Sequence, residues 1–175
     1  MVNETKLKGA YVVEPQRFED ARGFLARSWS LRELPGWEHV AVVESNVSFN
    51  LRRGTLRGMH YQEAPHGQAK IVRCTRGSIY DVVIDLRPDS PTYKSWVGVE
   101  LTAANRHTLC VPAEFAHGFQ TLEDDTEVFY LVSNHYAPDS ARGVRWNDPA
   151  FGIEWPEAAE RVMADRDRDY PDFAA

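Results

Sequence analysis

Apolar and polar residues alternate along most of this chain with the period of two that is typical of β-strands. In residues 80–86 the even positions are apolar, while Asp81 and Asp85 fall on the opposite face. One face of this strand is therefore expected to pack, while the other carries polar groups. The same alternation predicts further strands at residues 10–14, 24–29, 40–47, 54–60, 69–74, 93–101, 106–111, 118–122 and 127–133.

Turn residues separate these strands, and the pattern predicts short helices only around residues 31–34 and 156–163. Many short strands at regular spacing are typical of an all-β fold, here an antiparallel jelly-roll barrel or sandwich with a few short helices. We see no internal repeat or linker, and the length of 175 residues predicts a single domain over residues 1–175. The mouth of such a barrel is where a small ligand binds.

Composition and net charge limit the classes of partner that the chain is expected to bind. With 43% hydrophobic residues the chain can bury a core, and the net charge of -6 argues against a nucleic-acid or anionic-membrane surface. We find no apolar run long enough for a signal peptide or a membrane span, so we expect a cytoplasmic protein. An anionic small ligand would need a local cluster of arginine and lysine.

Unusual polar residues concentrate in four segments, residues 57–62, 68–70, 115–119 and 165–171. Each candidate also has an ordinary structural role open to it. His60 could be a core or surface histidine, and Lys70 could be a solvated strand lysine. Tyr130 has the parity of two neighbouring valines and could be a core tyrosine whose hydroxyl reaches the rim.

In order and spacing, residues 57–62, 68–70, 90–92 and 112–119, together with Tyr130 and residues 146–149, resemble the dTDP-4-dehydrorhamnose 3,5-epimerase family. The resemblance extends from about residue 20 to residue 171. It implies a cupin-like jelly roll that forms a homodimer and epimerises a nucleotide-linked 4-keto-6-deoxyhexose at C3, C5 or both. It also implies that neither a metal ion nor another cofactor takes part.

The resemblance assigns roles position by position. His60 becomes the base, Asp167 its carboxylate partner, Tyr130 the general acid, and Lys70 a donor to the sugar carbonyl. A proton next to a ketone is too weak an acid for an unaided imidazole, so the developing enolate oxygen must meet fixed positive charge. The implied substrate-binding residues are Arg57, His117, Asn46, Ser48, Gln62, Arg22, Phe24, Arg27, Glu44 and Tyr136.

Some positions depart from the family pattern. Leu25 and Arg27 occupy positions where the family usually carries a phenylalanine and a glutamate, and Glu44 occupies the position of a glutamine. Three alternatives therefore stay open. One is an epimerase acting only at C3 of a sugar linked to another nucleotide. Another is a metal-dependent cupin oxygenase or isomerase, for which His60, His66 and His117 are the plausible ligands. The third is a binding module without catalysis.

One local expectation concerns the strand that carries the base. Strict alternation would put Arg57 and His60 on opposite faces, although both should meet the ligand. Glycine inside a strand often marks a bulge, so we predict an irregularity at Gly58 that turns both side chains to one side.

Overall fold

The structure, a computed structural model that describes residues 1–173, consists almost entirely of short strands. The last two residues of the predicted domain, Ala174 and Ala175, lie outside the described residues. In chain order the strands are β1 (Val2–Glu4), β2 (Tyr11–Val13), β3 (Arg17–Asp20), β4 (Gly23–Ala26), β5 (Glu44–Asn50), β6 (Leu56–Gln62), β7 (Lys70–Arg76), β8 (Ser78–Asp85), β9 (Trp96–Thr102), β10 (Thr108–Val111), β11 (Phe115–Thr121), β12 (Thr126–Val132) and β13 (Ala141–Gly143). The helices are single turns: two 3-10 turns (Leu31–Glu33 and Pro138–Ser140) and α1 (Asp165–Arg168).

These strands form two main sheets. The 6-stranded sheet has the order β1-β2-β10-β7-β12-β5, and the 5-stranded sheet has the order β13-β6-β11-β8-β9. All the strand pairs in both sheets are antiparallel. The predicted all-β jelly-roll architecture with a few short helices is thereby confirmed.

The core lies between the two sheets, and alternate residues of the facing strands point into it. Val72 and Val128 project from the 6-stranded sheet and meet Val83, Phe115 and Phe119 from the 5-stranded sheet, all of them buried. Burying one such side chain contributes about 1.5–3 kcal/mol, so the register that places these residues inside is strongly favoured. Polar residues with the same parity must then also face the interior.

A second apolar cluster covers the outer face of the 5-stranded sheet. Met59, Val82 and Ala116 point outward from this sheet and pack against Val144 and Phe151. Because these last two residues begin the C-terminal segment, the segment lies along the sheet and continues to α1. The tail is thereby brought back to β6, more than a hundred residues earlier in the chain.

The predicted helix at residues 156–163 is wrong. Val162 instead exchanges backbone hydrogen bonds with the start of β6, donating to the carbonyl of Gly54 at 3.1 Å and accepting from the amide of Leu56 at 2.9 Å. Helix propensity is a weak preference, and here strand-like pairing with another part of the chain overrides it.

The strand predicted at residues 24–29 is shorter than expected and belongs to a hairpin. It ends at Ala26 and pairs with β3, which the sequence pattern did not reveal. This hairpin forms a separate 2-stranded sheet. Phe18 and Leu25 on it are 61% and 76% exposed, so it carries apolar surface that the single chain does not bury.

The irregularity predicted at Gly58 is present. His60 pairs with His117 and Arg57 pairs with Phe119, so β6 has two residues where β11 has only Gly118 between its paired positions. Gly58 has a φ of +136°, and a Cβ atom there would lie 2.5 Å from the Cα of Gly118. Only glycine fits, and the extra residue turns Arg57 and His60 toward the same cavity.

Candidate active site

A cavity of about 410 Å³ opens between the two sheets, and the four residues predicted to be catalytic line it. His60 and His117 are neighbours on β6 and β11, and Lys70 and Tyr130 project from β7 and β12 of the facing sheet. The cavity is lined by Val47, Ser48, Phe49, Arg57, His60, Lys70, His117, Phe119, Tyr130 and Asp167.

His60 forms a pair with Asp167 at the rim of this cavity. The Nε2 atom of His60 lies 2.7 Å from Oδ1 of Asp167, so the contact predicted from the sequence is present. The other carboxylate oxygen accepts a hydrogen bond from the backbone amide of Gly58 at 3.1 Å. The imidazole side chain is 43% exposed and the carboxylate only 7%. A held carboxylate thus presents an accessible imidazole to the cavity.

The electrostatics of Asp167 balance two opposing effects. Burial raises the pKa of this carboxyl. The hydrogen bond with His60, the charge of His60 and the hydrogen bond from the Gly58 amide all lower it, and the net result is a lowered pKa. Asp167 is therefore ionised at neutral pH and stabilises a positive charge on His60.

His117 forms a second pair, with Asp81, deeper in the barrel. Its Nε2 atom lies 2.7 Å from Oδ1 of Asp81, and the two side chains are only 9% and 0% exposed. Burial lowers the pKa of His117, although the charge of Asp81 and the hydrogen bond to it oppose the shift. His117 is therefore neutral at pH 7, and its Nε2 donates to Asp81.

Lys70 is a buried cation between the two pairs. Its Nζ donates a hydrogen bond to the backbone carbonyl of His60 at 3.2 Å. Burial lowers the pKa of Lys70 to about 8, while the charge of Asp81 opposes that shift. The ammonium form therefore predominates at pH 7, and its weak hydration leaves it available to an oxygen anion in the cavity.

Tyr130 lies on the 6-stranded sheet, which faces the sheet that carries His60. Burial raises the pKa of its hydroxyl, and the positive charge of Arg57 partly opposes this. The hydroxyl is therefore protonated at neutral pH and can donate a proton. Arg57 is held by a hydrogen bond from its Nε to Oδ1 of Asn50 at 2.8 Å.

A second cavity of about 280 Å³ continues from the first and shares His60, Lys70 and Tyr130 with it. Arg142 and Arg166 line this part, as does the predicted Tyr136. The two cavities together make an elongated cleft with several positive groups, although the chain as a whole is acidic. Such a cleft suits an extended anionic ligand.

Gln62 lines the second cavity, but its amide is engaged elsewhere. Its Nε2 donates to the carbonyls of His66 at 2.6 Å and His135 at 3.2 Å. Its Oε1 accepts from the amide of Ala137 at 2.8 Å. Gln62 thus supports the loop that carries Tyr136, which is a different task from the ligand contact expected.

Five other predicted binding residues do not line either cavity within the single chain: Asn46, Glu44, Arg22, Phe24 and Arg27. Asn46 lies on β5 opposite Tyr130, and Glu44 pairs with His135 at 2.6 Å. The other three belong to the β3–β4 hairpin or follow it. Within residues 1–173, β3 and β4 form a strand pair only with each other, and the hairpin contacts Ala104 and Arg106 rather than residues that line the cleft.

Reasoning from the sequence missed several contributors. Asp81 was visible only as a polar residue on the inward face of an apolar strand, and that signal could have found it. Asn50, which holds Arg57, has no such signal. Arg166 and Tyr170 lie in the predicted tail segment, where Arg166 donates from Nε to the tyrosine hydroxyl at 2.9 Å.

The structure does not assemble the histidine trio of the metal hypothesis. Among residues 1–173 no group of three or more histidine, cysteine, aspartate or glutamate side chains is placed to hold a metal ion. His66 lies in a turn and does not line the cavity that contains His60 and His117. In the same part of the chain, no helix is both long and apolar enough to cross a membrane.

Comparison with known proteins agrees with this site. The sequence profile of the dTDP-4-dehydrorhamnose 3,5-epimerase family matches residues 4–175. The enzyme of that name from Sinorhizobium fredii is 41% identical over 164 residues, covering 91% of this chain and 83% of the relative. These matches and the cavity define an enzyme of the epimerase class. The chain belongs to the dTDP-4-dehydrorhamnose 3,5-epimerase family.

Solved structures show the same fold. A dTDP-4-dehydrorhamnose 3,5-epimerase from Bacillus anthracis, crystallised with TDP and PPi bound, is 41% identical and aligns with a TM-score of 0.91 over 99% of both chains. ChmJ, a 3'-monoepimerase from Streptomyces bikiniensis in complex with dTDP-quinovose, is 35% identical with a TM-score of 0.86. This alignment covers 96% of this chain and 85% of ChmJ.

Proposed function

We propose that the protein converts dTDP-4-dehydro-6-deoxyglucose to dTDP-4-dehydrorhamnose by inverting C3 and C5. The observation that carries this proposal is the accessible imidazole of His60 on buried Asp167, facing a wall that carries Lys70 and Tyr130. The TDP bound to the Bacillus anthracis relative supports the choice of nucleotide.

The first step removes a proton from the carbon next to the C4 ketone. Nε2 of His60 is bonded to Asp167, so Nδ1 is the nitrogen free to accept the proton. The electron pair of the broken C–H bond forms a double bond to C4, and the π electrons of the ketone move onto its oxygen, which becomes negatively charged. The Lys70 ammonium stabilises this enolate, and Asp167 stabilises the imidazolium.

The second step returns a proton to the opposite face of the same carbon. Tyr130 projects from the facing sheet, and its hydroxyl is the donor we assign to this step. The ketone re-forms as the C–H bond forms, and the proton held by the His60 imidazolium then passes, directly or through water, to the tyrosinate, which restores both groups. C3 and C5 both flank C4, so one site serves both centres.

The second cavity accommodates the nucleotide end of the substrate. Arg142 and Arg166 supply positive charge for the diphosphate, and the ring of Tyr136, which is 61% exposed, offers a surface for the base. Arg57, His117 and Ser48 line the sugar end. Residues 1–175 act as one domain, and the cytoplasmic location remains our prediction.

The protein acts as a homodimer in this proposal. Val47, Phe49 and Leu51, on or just after edge strand β5, are 61%, 44% and 68% exposed. An exposed apolar edge strand is a pairing hazard that a partner subunit removes. The β3–β4 hairpin of the partner would then bring Phe24 and Arg27 to the cleft. A monomer at micromolar concentration by light scattering, with full activity, would refute this arrangement.

Epimerisation at C3 alone is the second candidate. The similarity to the 3'-monoepimerase ChmJ favours it. The departures at Leu25 and Arg27 concern the choice of nucleotide instead. Both candidates use the same proton transfers and differ only in how many centres are inverted.

The deciding experiment is proton NMR of dTDP-4-dehydro-6-deoxyglucose incubated with the purified protein. Ring coupling constants report the configuration at C3 and at C5 separately, and we expect both to invert. Inversion confined to C3 would establish the second candidate. Loss of activity on dialysis against a chelator, restored by a metal ion, would favour the metal-dependent alternative. If the substrate remained unchanged, the result would support the alternative of a binding module without catalysis.

A further inference from the structure

Gly143 lies directly opposite His60 in the ladder between β13 and β6. Residues directly opposite each other in an antiparallel pair project to the same face, so a side chain at position 143 would stand beside the imidazole. The other cross-strand neighbour of His60 is His117. The chain therefore leaves one side of the proposed base without a side chain from the sheet.

Tyr170 fills that space from the C-terminal tail. A Cβ atom built on Gly143 would lie 2.2 Å from Cζ of Tyr170, which is far inside contact distance. The Tyr170 ring also stands edge-on to the His60 imidazole, with the ring centroids 6.4 Å apart and an interplanar angle of 69°. The glycine thus makes room for an aromatic wall against one side of His60.

The same tail segment carries Asp167. Arg166, on α1 next to Asp167, donates from Nε to the hydroxyl of Tyr170 at 2.9 Å. The tail therefore contacts the neighbourhood of His60 at two points, through the Asp167 carboxylate and through the Tyr170 ring. A four-residue helix has little stability of its own, so outside contacts must fix the position of Asp167.

We propose that Tyr170, seated on Gly143, is a positioning residue for the His60–Asp167 pair. Its ring restricts the imidazole to the orientation that directs Nδ1 into the cavity, and its seat on the sheet fixes the tail that delivers Asp167. The proposal rests on the function proposed above and adds a residue that lines neither cavity. Small misplacements of a catalytic group lower turnover far more than they lower binding.

Three variants separate the parts of this arrangement. Tyr170→Leu removes the aromatic edge, and Tyr170→Phe removes only the hydroxyl bond to Arg166. Gly143→Ala leaves Tyr170 intact but displaces its ring from the sheet. The atoms in conflict there are the far end of a side chain, so the ring can move without a shift of the backbone.

A matched control loosens the tail elsewhere. Phe173 packs against Phe151 with ring centroids 5.2 Å apart. Phe173→Ala should weaken this anchor without removing the ring beside His60. If tail anchoring in general were what mattered, Phe173→Ala and Tyr170→Leu would have the same effect on turnover.

The first measurement is kcat and KM for exchange of substrate protons with solvent. We expect Tyr170→Leu and Gly143→Ala to lower kcat on the order of tenfold with little change in KM. Tyr170→Phe should recover most of that loss, and Phe173→Ala should stay within about twofold of the parent protein. A Tyr170→Leu protein with the parent kcat, or with a change in KM alone, would overturn the proposal.

The second measurement needs no substrate and so distinguishes this proposal from the proposed function. Diethyl pyrocarbonate modifies accessible imidazole, and peptide mapping reports the rate at His60. We expect faster modification of His60 in Tyr170→Leu and Gly143→Ala at temperatures well below their melting points. Equal rates in all the variants would refute a wall at His60. A parent protein inactive on the dTDP-sugar would instead refute the function alone.

Discussion

Two histidine–carboxylate pairs with the same 2.7 Å separation occupy different regions of this barrel. The rim pair, His60–Asp167, joins a strand to the C-terminal tail, and its imidazole is 43% exposed. The buried pair, His117–Asp81, joins two adjacent strands, and its imidazole is 9% exposed. Hydrogen-bond geometry alone therefore does not identify the base, because both pairs have it.

Accessibility separates the two tasks. The imidazole at the rim can touch a carbon of the substrate and can be charged in turn, because Asp167 is ionised beside it. Burial lowers the pKa of His117, so the inner imidazole stays neutral. It is therefore suited to a fixed hydrogen bond with Asp81 and not to removing a proton from the substrate. In the proposed mechanism, therefore, the strands supply the buried hydrogen-bonding residues, and the C-terminal tail supplies the carboxylate that activates the base.

Lys70 lies between the two pairs, and its removal should lower turnover more than the Tyr130 and Asp167 variants described below. Lys70→Met loses the cation that stabilises the enolate, so we expect turnover to fall about 10²–10³-fold. Because the pKa of Lys70 is about 8 and the ammonium is the active form, activity of the parent protein should decline as the pH rises through about 8.

The pH–rate profile checks this assignment. The alkaline limb should be missing from the residual activity of Lys70→Met, since no group at that position titrates. An unchanged limb near pH 8 in Lys70→Met would assign the limb to another group and would contradict Lys70 as the group that titrates there.

Tyr130→Phe tests the contribution of the 6-stranded sheet, which faces the rim pair across the cavity. The ring still packs against the core, but the donor for the second step is absent, so inversion should fall about a hundredfold. Solvent exchange should fall much less, because His60 can still remove a proton and return it to the same face. Deuterium content and ring configuration, measured on one sample, check this, and equal losses of both would argue against Tyr130 as the acid.

Asp167→Asn tests the tail half of the rim pair and should have a smaller effect. The amide oxygen can still accept from Nε2 of His60, but the amide carries no charge to stabilise the imidazolium, and its NH2 group cannot accept from the backbone amide of Gly58. A hydrogen bond to a charged group contributes about 1.5–3 kcal/mol, which corresponds to roughly a ten- to hundredfold loss of kcat. Steady-state kinetics check it, and turnover equal to that of the parent would contradict a role for this carboxylate in catalysis.

The sequence predicted the strands because they rest on a local signal, whereas the candidate site residues came from the resemblance to a family, and their roles stay predictions. Period-two alternation located the sheets, and the glycine within a strand located the bulge that brings Arg57 and His60 together. The helix at residues 156–163 was wrong because Val162 pairs with a segment distant in the chain, which local propensity does not report. The seat of Tyr170 on Gly143 is likewise a contact made only by the fold.

The hairpin shows the other limit of prediction. Arg27 and Phe24 were assigned to the ligand, yet in the single chain Arg27 pairs with Glu33 and Phe24 lies beneath Arg17 and Arg106. Their assignment depends on the homodimer proposed above, and no pattern within one chain determines where the hairpin of a partner would lie.

The most direct test of the central claim, that the rim pair removes the carbon-bound proton and the buried pair does not, is deuterium incorporation at C3 and C5 in D₂O with matched variants. We expect His60→Gln to lower exchange at both carbons by about 10²–10⁴-fold. His117→Gln keeps a donor to Asp81, so it should retain exchange and mainly raise KM. Exchange that survives in His60→Gln, or that is lost equally in His117→Gln, would contradict the account.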